Sequence, residues 1–504
     1  MIDYSSPNMA KEFHVGHLRS MMHGAALMNI LKFQGYEVSG VSHVGDFGSP
    51  MGQVVSEVIH RDLPFVRAIK EGKKVSEDMY PTPTELSAIY VAAKQRAKDD
   101  KDFATESMKR TVELQAPSHV QNETKEIWRT VLNASRVGFN DVYKKLGIYV
   151  KEQGESFYVD MLEGITQELL EKGVLRYSDG AVAAFIEGYE TPLLVKTRDG
   201  TYLYAATDLA TLKYRLHTLG MKRILYITDS SQRIHFEQLF KAGKLAGWYD
   251  PNEVSLEHIT FGLVTGENGL KLSSRDGTPL TLAGLLKEAV VATKAAVMTS
   301  NSLERSERKD QILVPKPDSY QQYTDEEAQL WKHEPTRFGR VSSDNIPTDH
   351  ERIAYNAIKY FELTNARRHN YKFSFLAMLN SRGNTAMYLM YAFARIRSVY
   401  RRAAMDNIVV PALDATVSYP PEFELHEHER KLMVQLLHFT YFVHLAETFL
   451  EPSYVCNYLF DLAKIFSLFY ENCRIIGSTN QEIRFRLCQA TEQVLKTGML
   501  LLNV

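Results

Sequence analysis

Residues 2–43 constrain the fold more than any other stretch. Residues 2–6 are short and β-compatible. Residues 14–34 place Leu18, Met21, Met22, Ala25, Met28 and Leu31 near helical spacing, and residues 36–43 resume as a strand. Gly35 stands where such a helix must stop. Strand, helix and strand at this length imply a right-handed crossover, so the two strands run parallel. Open parallel sheets collect ligands at the carboxyl ends of their strands. Two polar, glycine-containing segments fall at such ends, residues 8–17 and His43-Val44-Gly45-Asp46.

His14-Val15-Gly16-His17 heads the helical run, which reads as amphipathic. Two imidazole donors there lie beside backbone N–H groups that already favour anions. Gly16 would let a phosphate or a flat ring approach the backbone. No Gly-x-x-x-x-Gly-Lys-Ser/Thr loop occurs in the chain, so a nucleotide triphosphate would have to be held in this other way. The bland alternative for the tetrapeptide is a helix cap with a buried histidine.

At 504 residues the chain has room for two or three domains. Residues 55–180 read as mostly helical and interrupt the sheet, with extended segments returning at 191–196, 223–228 and 258–264. The reading is one parallel α/β domain over residues 1–300, split by a helical insertion at about 55–180. A polar, proline-containing linker or insertion follows over 301–349, then a helical domain over 350–504. No stretch approaches the apolar length needed to cross a membrane, so no membrane partner is expected. Cys456, Cys473 and Cys488 are odd in number and sit in helix-like sequence, as reduced core residues of a cytoplasmic protein do. The net charge of −2 says little about partners. Its distribution says more: residues 352–411 carry ten Lys or Arg against two acids, interleaved with aromatics. That mixture suits a structured RNA, and equally a solvated helical face over an aromatic core.

Several segments in order resemble the arginyl-tRNA synthetase family of class I aminoacyl-tRNA synthetases. Residues 3–20, containing His14-Val15-Gly16-His17, are similar to that family's version of the HIGH motif. His43-Val44-Gly45-Asp46-Phe47-Gly48 follows at family spacing. Residues 202–210 resemble the arginine-site segment. Gly383-Asn384-Thr385-Ala386, followed by residues 391–397, resembles the helical DALR-type anticodon-binding domain. The resemblance implies a Rossmann-like parallel-sheet catalytic domain and an all-α anticodon-binding bundle. It also implies ATP-dependent activation of L-arginine and transfer to the 3′-terminal adenosine of tRNA(Arg).

The substrate's own carboxylate is then the nucleophile, so catalysis is mainly positioning plus fixed positive dipoles. His14 and His17 are expected to donate to the phosphates. Gly16, His43, Gly45, Asp46, Phe261, Val264 and Ser273 are expected to complete the ATP site, with Mg²⁺ carried on the phosphates and no metal held by the protein alone. A guanidinium is bound by carboxylates through paired hydrogen bonds. The family match gives that role to Asp3 and Asp208, adds the phenol of Tyr204, and places the amino-acid head group at Asn8 and Gln232. Tyr391, Arg395 and Arg397 are expected to meet tRNA.

The family's second signature, KMSKS, is altered here to Lys271-Leu272-Ser273-Ser274-Arg275 and lacks its second lysine. Lys11 is expected to supply the lost charge, with Lys271 and Arg275 assisting. The family usually carries a further N-terminal domain that grips the tRNA elbow, whereas this sequence begins at the catalytic strand. That difference bears on tRNA affinity more than on adenylate chemistry. Family members act as monomers or within multi-synthetase assemblies. Two other readings remain: a synthetase-derived RNA-binding protein that no longer catalyses, or another class I synthetase. The cysteinyl type would need cysteines near the site, and all three lie beyond residue 450.

Overall fold

The structure, a computed structural model, describes residues 1–266, 280–307, 348–412 and 424–504, the side chains of 298–307 excepted. It divides into two compact units. One holds Met1–Gly24, Ser39–Lys144 and Ile148–Phe261, the other Ala25–Val38, Lys145–Gly147 and Gly262–Val504. The division falls after Phe261 rather than near residue 300, and passes through the first helix.

In the first unit the strands are β1 (Ile2–Asp3), β2 (Gly40–Ser42), β3 (Lys151–Glu152), β4 (Arg176–Ser178), β5 (Ala181–Ala184), β6 (Leu193–Lys196), β7 (Arg223–Asp229) and β8 (Ser255–Phe261). Five of them form one sheet in the order β3-β2-β1-β7-β8, with every neighbouring pair parallel. From central β1 the chain builds one side of the sheet first and returns later for the other. The crevice at the carboxyl ends of β1 and β7 is therefore the topological switch point, where such sheets take ligands.

Three sequence expectations change. The strand expected over 36–43 is confined to Gly40–Ser42. The insertion is not only helical, because β3 lies inside it and closes one edge of the parallel sheet. The extended segment at 191–196 becomes β6, which pairs antiparallel with β5 in a separate three-stranded sheet with β4. Alternation of apolar residues marks a strand but says nothing of which sheet receives it.

The first helix, Val15–Phe33, is not amphipathic as read: residues 18–27 are all buried, Arg19 and His23 among them. It ends as expected. Gly35 takes φ +92°, its N–H donates to Lys32 O at 3.0 Å, and Tyr36 N–H donates to Leu31 O at 3.0 Å. This double closure needs a left-handed residue that glycine adopts without a Cβ clash.

Among its described residues the second unit is helical apart from the two-residue parallel pair β9 (Val264–Thr265) and β10 (Tyr371–Lys372). Its helices include Asp349–Thr364, Ala386–Met405, Ser453–Asn472 and Gln481–Leu501. Helix Ala386–Met405 buries Leu389, Ala392, Ile396, Val399 and Ala403, a three-four spacing that commits one face to the core. Cys456, Cys473 and Cys488 are buried thiols in this unit.

Candidate active site

The backbone leaving β1 is held in an unusual path. Ser5, Ser6 and Ala10 are left-handed, at φ 71°, 40° and 61°, a conformation costing an L-residue about 1–2 kcal/mol. Each strained residue has its N–H caught by a serine hydroxyl from elsewhere in the fold. Ser5 N donates to Ser20 Oγ at 2.8 Å, Ser6 N to Ser42 Oγ at 3.2 Å, and Ala10 N to Ser135 Oγ at 3.0 Å. These three bonds over-determine the turn that delivers His14 and His17 to the carboxyl edge of the sheet.

At that edge the two imidazoles pack against each other with their planes tilted by 39°, ring centres 3.9 Å apart. His14 N–H donates to His17 Nδ1, and Gly16 N–H donates to His14 Nδ1, both at 3.1 Å. An Nδ1 that accepts cannot carry a proton, so each ring keeps its proton on Nε2 as a donor. Burial and the neighbouring His14 push the pKa of His17 down to about 3, so it is neutral at physiological pH. Gly16 has a different use from the one expected. A Cβ there would lie 2.9 Å from the His14 ring, so its absence makes room for the imidazole.

About Asp208 the arrangement is the opposite. This residue comes from helix Tyr204–Lys213, which follows β6. His235 Nε2 lies 2.7 Å from Asp208 Oδ2, and His43 Nε2 lies 3.5 Å from Asp208 Oδ1. Burial alone would favour the protonated acid, but the two imidazoles outweigh it and hold the carboxyl far below the usual carboxylate range. His43 is buried, which opposes its charge; Asp208 and then Asp3 overcome this and raise its pKa. Tyr204 packs on His235 at 4.9 Å between ring centres and remains 60% exposed. Glu155, just past β3, shares the electrostatic environment of His43, Asp208 and Asp46. Burial pushes its pKa up to about 8, the two other carboxylates add to this, and His43 opposes it.

Two expected ligands are already engaged. Asp3 Oδ2 pairs at 2.6 Å with Arg215, which is 1% exposed, and Asp3 Oδ1 accepts from Ser6 Oγ at 2.7 Å. Its carboxylate is neutralised inside the protein and does not wait for a guanidinium. Arg215 reaches it from a π-helical turn, Tyr214–Thr218. Asp46 accepts from Ser156 N at 2.9 Å and Ser156 Oγ at 2.6 Å, which ties it to the turn carrying Glu155. Gly45 bridges to Asn8, and a Cβ on it would strike Asn8 Oδ1 at 2.3 Å. The closeness it permits here is to that amide.

Asn8 and Gln232 are exposed at the carboxyl ends of β1 and β7. Lys11 rests its ammonium 4.2 Å above the Tyr90 ring, on a helix of the insertion. Phe261 is buried at the end of β8, and His258, three residues before it, meets Thr228 Oγ1 at 2.7 Å. Val264 lies on β9 and pairs with Tyr371. Lys271, Ser273 and Arg275 lie outside the described residues, as does most of 301–349. In the helical unit Arg395 stacks on the half-exposed Tyr391 at 4.6 Å. Arg397 is engaged by Glu492 at 2.6 Å, which ties two bundle helices together. Sequence reasoning missed Glu155 and His235. The only signals were a glutamate inside Gly-Glu-Ser-Phe-Tyr and a histidine three residues after Gln232.

Residues 1–314 match the family described as tRNA synthetases class I (R), catalytic domain, and residues 389–504 match the DALR anticodon binding domain. The chain belongs to the arginyl-tRNA synthetase family. Relatives match along the whole of this chain: the arginine–tRNA ligase of Trichodesmium erythraeum is 35% identical, covering 100% of this chain and 79% of that protein. The chloroplastic/mitochondrial arginine–tRNA ligase of Arabidopsis thaliana is also 35% identical, over 100% and 71%. Among solved structures, the arginyl-tRNA synthetase of Plasmodium falciparum aligns with a TM-score of 0.72 at 27% identity, covering 100% of this chain and 75% of that one. The Thermus thermophilus arginyl-tRNA synthetase aligns at 0.68 and 19% identity, over 100% and 81%, a likeness of fold.

Proposed function

We propose that the carboxyl edge of the parallel sheet carries out both half-reactions of an arginine–tRNA ligase. In the first, the carboxylate oxygen of L-arginine attacks the α-phosphorus of ATP, forming arginyl-adenylate and expelling pyrophosphate. In the second, a hydroxyl of the 3′-terminal adenosine of tRNA(Arg) attacks the arginyl carbonyl, and AMP leaves. The observation that carries this reading is the placement of the carboxylate of Asp208, flanked by Tyr204 and Glu155, on the same sheet edge as the paired Nε2–H donors of His14 and His17.

Asp208 and Glu155 take the forked guanidinium, Glu155 filling the place expected of Asp3. Tyr204 adds its phenol, and Asn8 and Gln232 hold the head group. His14 and His17 donate to the phosphates as negative charge gathers on the leaving pyrophosphate. Lys11 leaves the Tyr90 ring to add charge there. Mg²⁺ enters on ATP, bound chiefly by the phosphates and water. Tyr391 and Arg395 offer tRNA a stacking face with a cation upon it, and Arg397 a second cation, each arginine also pairing with a bundle carboxylate, Glu471 and Glu492. No helix among the described residues is long and apolar enough to cross a membrane. With its three buried thiols the protein fits the cytoplasm.

Arginine-dependent ATP–pyrophosphate exchange, measured with and without tRNA(Arg), tests the reading. Exchange driven by arginine and lost in Asp208→Ala supports it. Exchange driven by another amino acid replaces the substrate, and none under either condition favours an RNA-binding role.

A further inference from the structure

Both carboxylate oxygens of Asp208 already face imidazoles from within the protein. His43 Nδ1 lies 3.3 Å from the backbone carbonyl of Gln153, and its Nε2 lies 3.5 Å from Asp208 Oδ1. Both ring nitrogens therefore face oxygens that can only accept, an arrangement that favours an imidazole carrying both protons. The other oxygen of Asp208 is held by His235 at 2.7 Å. A bidentate guanidinium needs carboxylate oxygen that these two rings occupy. Of the two, His43 is the looser: its Nε2 is buried at ion-pair distance without a hydrogen bond.

We propose that His43 is a placeholder cation, whose imidazolium occupies Asp208 until the guanidinium of arginine replaces it and the ring gives its proton to solvent. The proposal rests on the assignment of this pocket to arginine. The groups facing His43 all bear on it. Asp208 comes from the helix behind it, with His235 across that carboxylate. Glu155 and Asp46 come from the turns after β3 and β2, and Asp3, with its partner Arg215, lies beneath. The Tyr158 ring closes the remaining side at 5.8 Å. With Asp3 cancelled by Arg215, the balance at His43 is set by Asp208. A permanent cation arriving on Asp208 both shields that carboxylate and repels the imidazolium. His43 thus acts as a positioning residue: it keeps Asp208 ionised and in place inside a buried site, and makes arginine binding an exchange of one cation for another.

Calorimetric titration of arginine into the full chain, in buffers of different ionisation enthalpy, reads the protons released. The unaltered protein should release protons, with arginine affinity rising by up to about tenfold per pH unit where His43 is charged. His43→Gln should release fewer, by His43's share, while Glu155→Gln keeps that share. Nitrogen NMR of labelled histidine in the unaltered protein gives a second reading independent of folding of the variants. The His43 ring should be doubly protonated without arginine and singly protonated with it. A ring that stays doubly protonated at saturating arginine, or equal proton release in His43→Gln and the unaltered protein, overturns the proposal. Failure of the unaltered protein to bind arginine, with tRNA(Arg) present or absent, sinks the pocket assignment and the proposal with it.

Discussion

Two pairs of histidines stand on one sheet edge, and they are prepared for opposite partners. In the His14/His17 pair each Nδ1 accepts a backbone N–H, which leaves each ring neutral with an outward Nε2 donor. In the His43/His235 pair the rings converge on a carboxylate, and His43 meets acceptors at both nitrogens. The side chain is the same; an accepting Nδ1 fixes an uncharged hydrogen-bond donor in the first pair, whereas at His43 the carboxylate of Asp208 facing Nε2 favours the cation. A site joining a triphosphate to a cationic amino acid needs both settings side by side. Neutral donors stabilise phosphate charge without repelling the guanidinium, while the carboxylate end requires a temporary counter-ion.

The comparison can be broken most severely at Asp208. Asp208→Asn strands two imidazoles without their shared charge and removes the guanidinium's anchor. Losing one partner of a buried charged network costs about 3–5 kcal/mol. Arginine-dependent exchange should therefore fall by roughly two to four orders of magnitude in kcat/KM, with the circular dichroism spectrum unchanged. At the other pair, His17→Asn should lower kcat of exchange by about a hundredfold, the effect of removing one donor to developing charge. The KM for arginine should stay within about twofold. A larger change in arginine KM than in kcat would show that the two ends are not separate.

Glu155 gives the smallest effect and the sharpest pH test. With its pKa pushed up to about 8 the group is mostly protonated at neutrality, and only its carboxylate suits a guanidinium. Arginine affinity should therefore rise with pH and level off above about 8. Glu155→Gln should remove that levelling and weaken affinity at pH 8 by about tenfold, read from arginine KM across the range. His17, held near 3, should contribute no titration in the same window.

Much of this was legible from local pattern. The helix stop at Gly35, the parallel crossover and the HIGH-type helix start each depend on residues near one another in the chain, whereas Asp208 is named only through the family resemblance. What stayed hidden depends on distant partners. Asp3 reads as a ligand until Arg215 is seen reaching it from a π-helical turn more than two hundred positions away. Asp46 reads as a nucleotide contact, and its tie to Ser156 appears only once the chain has folded back. Glu155 carries no periodic signal, because its meaning comes from burial among His43, Asp208 and Asp46. The helix Val15–Phe33 reads as one-sided from its apolar spacing, yet Arg19 and His23 are buried as well.

The position of β1 has a consequence for how the chain is assembled. Its two neighbours come from very different times in synthesis: β2 emerges soon after it, whereas β7 must still be made, and the Met1 amine meets Arg223 O across 222 positions. Long-range pairings of this kind slow folding, because the loop must close before the contact is rewarded. The left-handed turn and both ends of the crevice thus remain unfinished until the ribosome has passed β7. Until then an unpaired edge of the nascent sheet is open to chaperones and to mispairing.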